Sequence, residues 1–279
     1  MYMQRERDCA IQIPQQFNGP PASAQGGYLC GRLAALLEAP RAAVTLLLPP
    51  PLGVELETRR TGDRITLWDA DRLLATAVAG GNQTAIEPLE PLATEQLTGT
   101  FAGFSRHPFP TCYVCGTDRA DGMEIFPAPV PGRPGTVAAT WTPAPELADD
   151  GGRARPEFVW AALDCPGGWS AMSSGDPESS GDPESSEDPE SSEDPDTLVL
   201  GRMTLELTEP PRCGQRYLVL GRLDRRSGRT AWVRTALFDG AGRALATSVA
   251  QWLSVDPASF APVGGDCVGS DPAGSAAAG

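Results

Sequence analysis

The sequence predicts an α+β protein made of two similar units in tandem, each a single helix followed by a run of antiparallel strands. Three observations predict it. The first is an internal duplication. Leu67-Trp-Asp-Ala-Asp-Arg-Leu-Leu-Ala-Thr-Ala-Val-Ala79 and Leu237-Phe-Asp-Gly-Ala-Gly-Arg-Ala-Leu-Ala-Thr-Ser-Val-Ala250 align with one inserted residue, and such self-similarity marks a repeated structural unit. The second is an apolar stretch closed by prolines upstream of each copy: Ala43–Leu48 before a proline cluster and Gly53, and Leu198–Leu207 before Pro210-Pro211 and Gly214. The third is one helical segment ahead of each of those stretches. A helix covered by a curved sheet, occurring twice, lets the two sheets join into one surface.

The first helix is predicted over Ser23–Glu38, with Leu29, Leu33, Leu36 and Leu37 on one face. Ser23 is its expected N-cap, and Pro40 stops it. About four strands follow, the last two forming a hairpin turned at Asp69-Ala-Asp71. The second helix is predicted over Arg155–Cys165. Pro156 sits near its first turn, where a missing N–H costs nothing. Phe158, Val159, Ala162 and Leu163 leave almost no polar side, the pattern of a buried helix. Pro166-Gly167-Gly168 is expected to weaken or bend it. Four more strands follow, ending in a hairpin turned at Asp239-Gly-Ala-Gly242.

These elements divide the chain into an N-terminal unit, 1–105, a C-terminal unit, 106–255, and a tail, 256–279. An acidic insert, 173–197, interrupts the second unit. Its centre, Gly175–Pro195, repeats Asp-Pro-Glu-Ser-Ser with Gly or Glu between copies and contains no apolar residue other than proline. Such a segment cannot offset its ordering entropy by burial, so a disordered, solvated loop is expected. The tail is expected to be flexible.

Charge follows the same division. Of 279 residues, 36 are acidic and 22 basic, a net charge of −14. Ten carboxylates, Asp176 to Asp196, lie in the insert; without them the balance is 26 to 22, or −4. The acidic bulk balance argues against a nucleic-acid partner, while the nearly neutral folded body sets no bar to an anionic ligand. All 22 basic residues are arginine, which excludes a lysine Schiff base and a P-loop lysine. One histidine, His107, would have to serve any histidine-dependent triad or acid–base pair. Seven scattered cysteines read as reduced thiols. The N-terminus lacks the apolar core of a signal peptide, and the longest apolar stretch, Ala42–Leu48, is too short to span a membrane. A cytoplasmic protein without membrane insertion is expected.

Two features carry chemistry. Asp164 lies in the apolar second helix beside Trp160 and Leu163, where burial would raise its pKa. A lone aspartate there has either a backbone partner near Pro166-Gly167 or a function. Cys112-x-x-Cys115, with His107 five residues ahead, supplies three candidate metal ligands, and a fourth would have to be Cys165, Asp164 or another distant residue. The competing reading, packed thiols in a turn, leaves the protein without metal. Arg225-Arg226 is placed on the turn before Gly228, as a contact for anionic phosphates or as a solvated pair.

Three local matches point further. Gln25-Gly26-Gly27, opening the first helix, resembles the His-Gly-Gly that opens the helix of hotdog proteins. Cys112-Tyr-Val-Cys-Gly-Thr-Asp-Arg-Ala-Asp-Gly-Met123 resembles the Cys-Phe-x-Cys-Gly…Gly-Leu stretch that begins many thioesterase-like hotdog domains. Asp164 lies nine residues after Arg155, and in the phenylacetyl-CoA type of hotdog thioesterase the catalytic carboxylate lies nine residues after that histidine. With the duplication, the chain from about Phe17 to Val255, apart from the insert, resembles a double hotdog protein of the acyl-CoA thioesterase-like superfamily.

The resemblance implies a tandem hotdog, two units forming a pseudo-dimer, that hydrolyses an acyl thioester at a composite site. In family dimers the glycine end of one helix meets the carboxylate of the other. Carried over, Gly26 and Gly27 would polarise the carbonyl and Asp164 would act as base or nucleophile, with Asn18, Gln25 and Trp160 binding substrate. The second site would pair Ala34 with Pro156 and lack chemistry. The departures, Gln25 for histidine and Arg155-Pro156-Glu157 for His-Gly-Gly, leave a second reading: a non-catalytic acyl-CoA or acyl-ligand binding protein on the same fold. The implied partner is acyl-CoA or a related thioester, no cofactor is required, and free sheet edges would permit a homo-oligomer.

Overall fold

The computed structural model describes residues 9–80, 89–93, 96–173 and 197–256. The acidic insert between Ser173 and Thr197, and the tail after Asp256, lie outside the described residues. Among the described residues, eleven strands form one antiparallel sheet around two α-helices. The first half of the chain holds β1 (Cys9–Gln12), α1 (Gly26–Ala35), β2 (Arg41–Leu46), β3 (Glu55–Thr61), β4 (Arg64–Asp69) and β5 (Arg72–Ala79). The second holds β6 (Ala128–Pro129), β7 (Thr136–Trp141), α2 (Pro156–Met172), β8 (Thr197–Leu207), β9 (Tyr217–Ser227), β10 (Thr230–Phe238) and β11 (Ala244–Val255).

The strand order is β1-β3-β4-β5-β2-β8-β11-β10-β9-β7-β6. Leaving β6 aside, it reads the same from either end: in each half the strand before the helix lies outermost and the strand after it lies at the centre. The halves join where β2 pairs with β8, from Arg41 opposite Glu206 to Thr45 opposite Arg202. β1 at one end, and β7 with the two-residue β6 outside it at the other, are additional to the four expected per unit.

Both predicted hairpins form. Ala70 takes a positive φ of 53° in the first turn. In the second, Asp239 Oδ1 accepts hydrogen bonds from the Ala241 and Arg243 amides. Arg225 and Arg226 belong to β9 rather than to a turn, and the Arg225 guanidinium lies 3.4 Å over the Trp232 ring. Alternation along β7, β9 and β10 splits their side chains between two faces. Val137, Val219 and Leu237 join the main core, whereas Ala138, Leu220, Ala236 and Phe238 form a second cluster beneath Leu89 and Leu92 of the segment linking the halves.

α1 is capped by Gln25, whose side chain accepts a hydrogen bond from the Tyr28 amide, so the cap is not the expected Ser23. α2 is buried from Phe158 through Ala171. It does not stop at Cys165 but runs through Pro166 to Met172. The sheet holds it there. A Cβ on Gly221 of β9 would lie 2.2 Å from the Pro166 carbonyl oxygen, and Trp252 and Val233 fill the space that side chains at Gly168 and Gly167 would occupy. The helices pack closely through glycines of α1. A Cβ on Gly27 would lie 2.6 Å from the Trp160 carbonyl oxygen, and one on Gly31 2.4 Å from Glu157 Cα. As α1 advances, its contacts move back along α2, so the two are antiparallel. Among the described residues no helix is long and apolar enough to cross a membrane.

Candidate active site

The open end of α1 organises the site. A helix start leaves four N–H groups without intrahelical partners. Here the Gln25 amide donates to the Phe17 carbonyl at 2.8 Å. The Tyr28 amide donates to Gln25 Oε1 at 2.6 Å, and the Gly27 amide to Asp164 Oδ2 at 2.8 Å. The Gly26 amide is the one left over. Space beside Gly26 is tight, since a Cβ would lie 3.1 Å from the Leu200 side chain and 3.4 Å from Asp164 Oδ2.

Asp164 is brought to this helix end by the antiparallel packing of α2. It is 3% exposed. Its Oδ2 takes a second hydrogen bond, from Gln25 Nε2 at 2.6 Å, while its buried Oδ1 has no partner. Burial pushes the Asp164 pKa up to about 7, against the Gly27 and Gln25 donors that favour the anion. Gln25 thus caps α1 with its oxygen and anchors the carboxylate with its nitrogen.

These groups border a half-enclosed cavity of about 420 Å³ at the β2–β8 junction. Gln25, Gly26, Asp164 and Cys165 line one part of it; Leu47, Leu48, Leu200, Leu253, Trp169 and Met172 make most of the rest apolar. Two predicted substrate contacts do not line it. Asn18 donates to the Gly19 carbonyl and Thr111 Oγ1 and accepts from Arg119, tying the approach to α1 to the 111–121 loop. Trp160 is buried against α1 at Gly31.

The cysteines also meet here. The sulfurs of Cys112, Cys115 and Cys165 all lie within 4.8 Å of one another, with Cys112 and Cys165 at 3.8 Å, and all three residues line the cavity. The surroundings favour the Cys112 thiolate over those of its two neighbours. Hydrogen bonds from the Cys115 and Cys165 thiols, then from the Cys115 and Val114 amides, lower its pKa well below the usual thiol value despite burial. His107 does not join the cluster. Its Nδ1 accepts from the Phe109 amide at 3.0 Å, which leaves Nε2 protonated and facing the Cys115 carbonyl at 3.0 Å. Burial, beside Phe101 and Trp169, lowers its pKa and keeps it neutral. The third thiol is Cys165, which the sequence names only among possible distant ligands.

No protein-family model matches the chain, and neither does any curated protein. Solved structures do. The chain is similar to the tesB protein of Mycobacterium avium subspecies paratuberculosis, with a TM-score of 0.58 and 12% identity over 91% of this chain and 96% of that one. It is similar to a hotdog-fold protein of unknown function from Alicyclobacillus acidocaldarius, with a TM-score of 0.55 and 11% identity over 92% and 96% of the two chains. It also resembles a protein from Novosphingobium aromaticivorans proposed to be a thioesterase, with a TM-score of 0.55 and 16% identity over 91% and 98%. The chain therefore has the hotdog fold.

Proposed function

We propose that this protein is a fused pair of hotdog units that hydrolyses acyl thioesters, acyl-CoA among them, in the cavity where the units meet. The observation that carries the reading is Asp164: a buried carboxylate anchored through one oxygen at the open end of α1, with its other oxygen unpartnered, beside an apolar cavity. The acyl chain lies along the leucines, and its carbonyl oxygen takes the remaining Gly26 amide at the positive end of the helix. Asp164 Oδ1 accepts a proton from water as the water oxygen bonds to the carbonyl carbon. The carbon–sulfur bond then breaks, and the proton passes to the departing thiolate, leaving a carboxylic acid and a free thiol.

The test is thiol release from acyl-CoAs of graded chain length. Asp164→Asn is expected to lower kcat by about 100-fold or more. In the wild type kcat/KM should rise with pH through about 7 and then level off, because the ionised carboxylate is the active form. Hydrolysis that survives Asp164→Ala unchanged would sink the proposal.

Two observations favour a second reading, acyl-ligand binding without turnover: Asp164 Oδ1 is buried, and glutamine stands where the family motif has histidine. It predicts binding heat with acyl-CoA in calorimetry and no thiol release across the same panel.

A further inference from the structure

We propose that Cys112, Cys115 and Cys165 form a zinc-binding site, with three thiolate ligands and a fourth position facing the cavity. Geometry is the first argument. In a tetrahedral centre with zinc–sulfur bonds of about 2.3 Å, the sulfurs stand about 3.8 Å apart. The Cys112–Cys165 separation is 3.8 Å, and the third sulfur lies within 4.8 Å of both.

The second argument is the environment of the sulfurs. Two side-chain N–H groups reach them: Cys115 receives the Trp169 indole N–H at 3.4 Å, and Cys165 the Gln25 amide nitrogen at 3.7 Å. Donors of this kind, beyond the ligands, spread the negative charge of metal-bound thiolates and fix their orientation.

The third argument is how the ligands are held. Cys112 and Cys115 sit on a tight turn closed by the Gly116 amide donating to the Cys112 carbonyl at 2.8 Å. A Cβ on Gly116 would lie 2.4 Å from that carbonyl oxygen, so the turn closes this tightly only with glycine there. Cys165 comes from α2, whose burial fixes it. Thiolate ligands select zinc-class soft cations over magnesium or calcium. Binding releases the thiol protons to solvent, and because all three cysteines line the cavity the fourth position would take a water from it. The site shares the cavity of Asp164, but its test is independent of the thioester reading, since metal content does not depend on turnover.

The experiment uses the full chain purified under reducing conditions. Elemental analysis should give about one zinc per chain, removable by chelator. Cobalt(II) added to the stripped chain should saturate at one equivalent with an intense sulfur-to-cobalt charge-transfer band, which a carboxylate or imidazole site would not show. Zinc should protect Cys112, Cys115 and Cys165, and not Cys9 or Cys213, from alkylation mapped by mass spectrometry. Cys165→Ser should weaken zinc binding by at least about tenfold. If that variant does not fold, the wild-type cobalt spectrum and protection map still decide. The proposal is overturned by a stripped chain that takes up neither metal, by a cobalt spectrum without thiolate bands, or by undiminished binding in Cys165→Ser.

Discussion

Asp164 occupies a position where charge is costly, and the cost has a sign that can be measured. Its pKa is about 7 in the fold, against 3.8 ordinarily. Below about pH 4 the carboxyl is protonated in both folded and unfolded chains and does not affect stability. As pH rises from there, the unfolded chain releases the proton and the folded chain keeps it. Stability therefore falls with rising pH until about 7 and is level above. Three units correspond to about 4 kcal/mol. Asp164→Asn should consequently be more stable than wild type at pH 8, by up to about 4 kcal/mol, and should converge with it near pH 4. Urea unfolding at both values checks this; a difference that does not change with pH would contradict it. A residue that costs stability and lowers activity when replaced is the signature of a functional group rather than a packing one.

At the scale of elements, the site depends on how closely α1 and α2 approach. Gly27 and Gly31 create that approach, bringing the carboxylate of one helix to the amide end of the other. Alanine would favour the helix by up to about 1 kcal/mol. Against this, the Gly31 Cβ would lie 2.4 Å from the Glu157 backbone, and overpacking of a rigid core costs about 1–3 kcal/mol. Gly31→Ala should therefore lower the urea midpoint despite its better helix propensity, whereas an unchanged or raised midpoint would mean that the helices separate freely. The same principle explains the length of α2. Pro166 breaks a helix judged in isolation, but Gly221, Val233 and Trp252 pack around it and the helix continues.

At the scale of the molecule, one sheet and one helix pair are shared by both halves. β2 and β8 are each other's neighbours at the centre, and the cavity draws its walls from both sides of that junction. A chain ending at residue 105 would expose the β2 edge and the face of α1 that packs on α2. Unpaired apolar edges associate, so the segment 1–105 expressed alone should aggregate, and coexpression with 106–279 should return a soluble complex of the two. Size-exclusion chromatography checks it; a monomeric, folded 1–105 would show the halves to be independent. The charge is equally uneven: ten of the carboxylates behind the net −14 fall between Asp176 and Asp196.

Much of this was legible in the residues because it is local. Apolar spacing marked both helices, and the duplicated Leu67–Ala79 and Leu237–Ala250 marked both hairpins; the resemblance put forward Gly26, Gly27 and Asp164 as site residues, which activity measurements test. Tertiary structure decided which groups meet. It gave the Gly27 amide to Asp164 and left that of Gly26, and it took Asn18 and Trp160 away from the cavity. It turned both His107 nitrogens to the backbone and put Cys165 in the third sulfur position instead. It also added β1 at one end of the sheet and β7 and β6 at the other. Periodicity within a segment is set by the segment itself. A contact between residues 137 positions apart depends on how two buried helices cross, and that is fixed only when their glycines, the sheet and the core close around them.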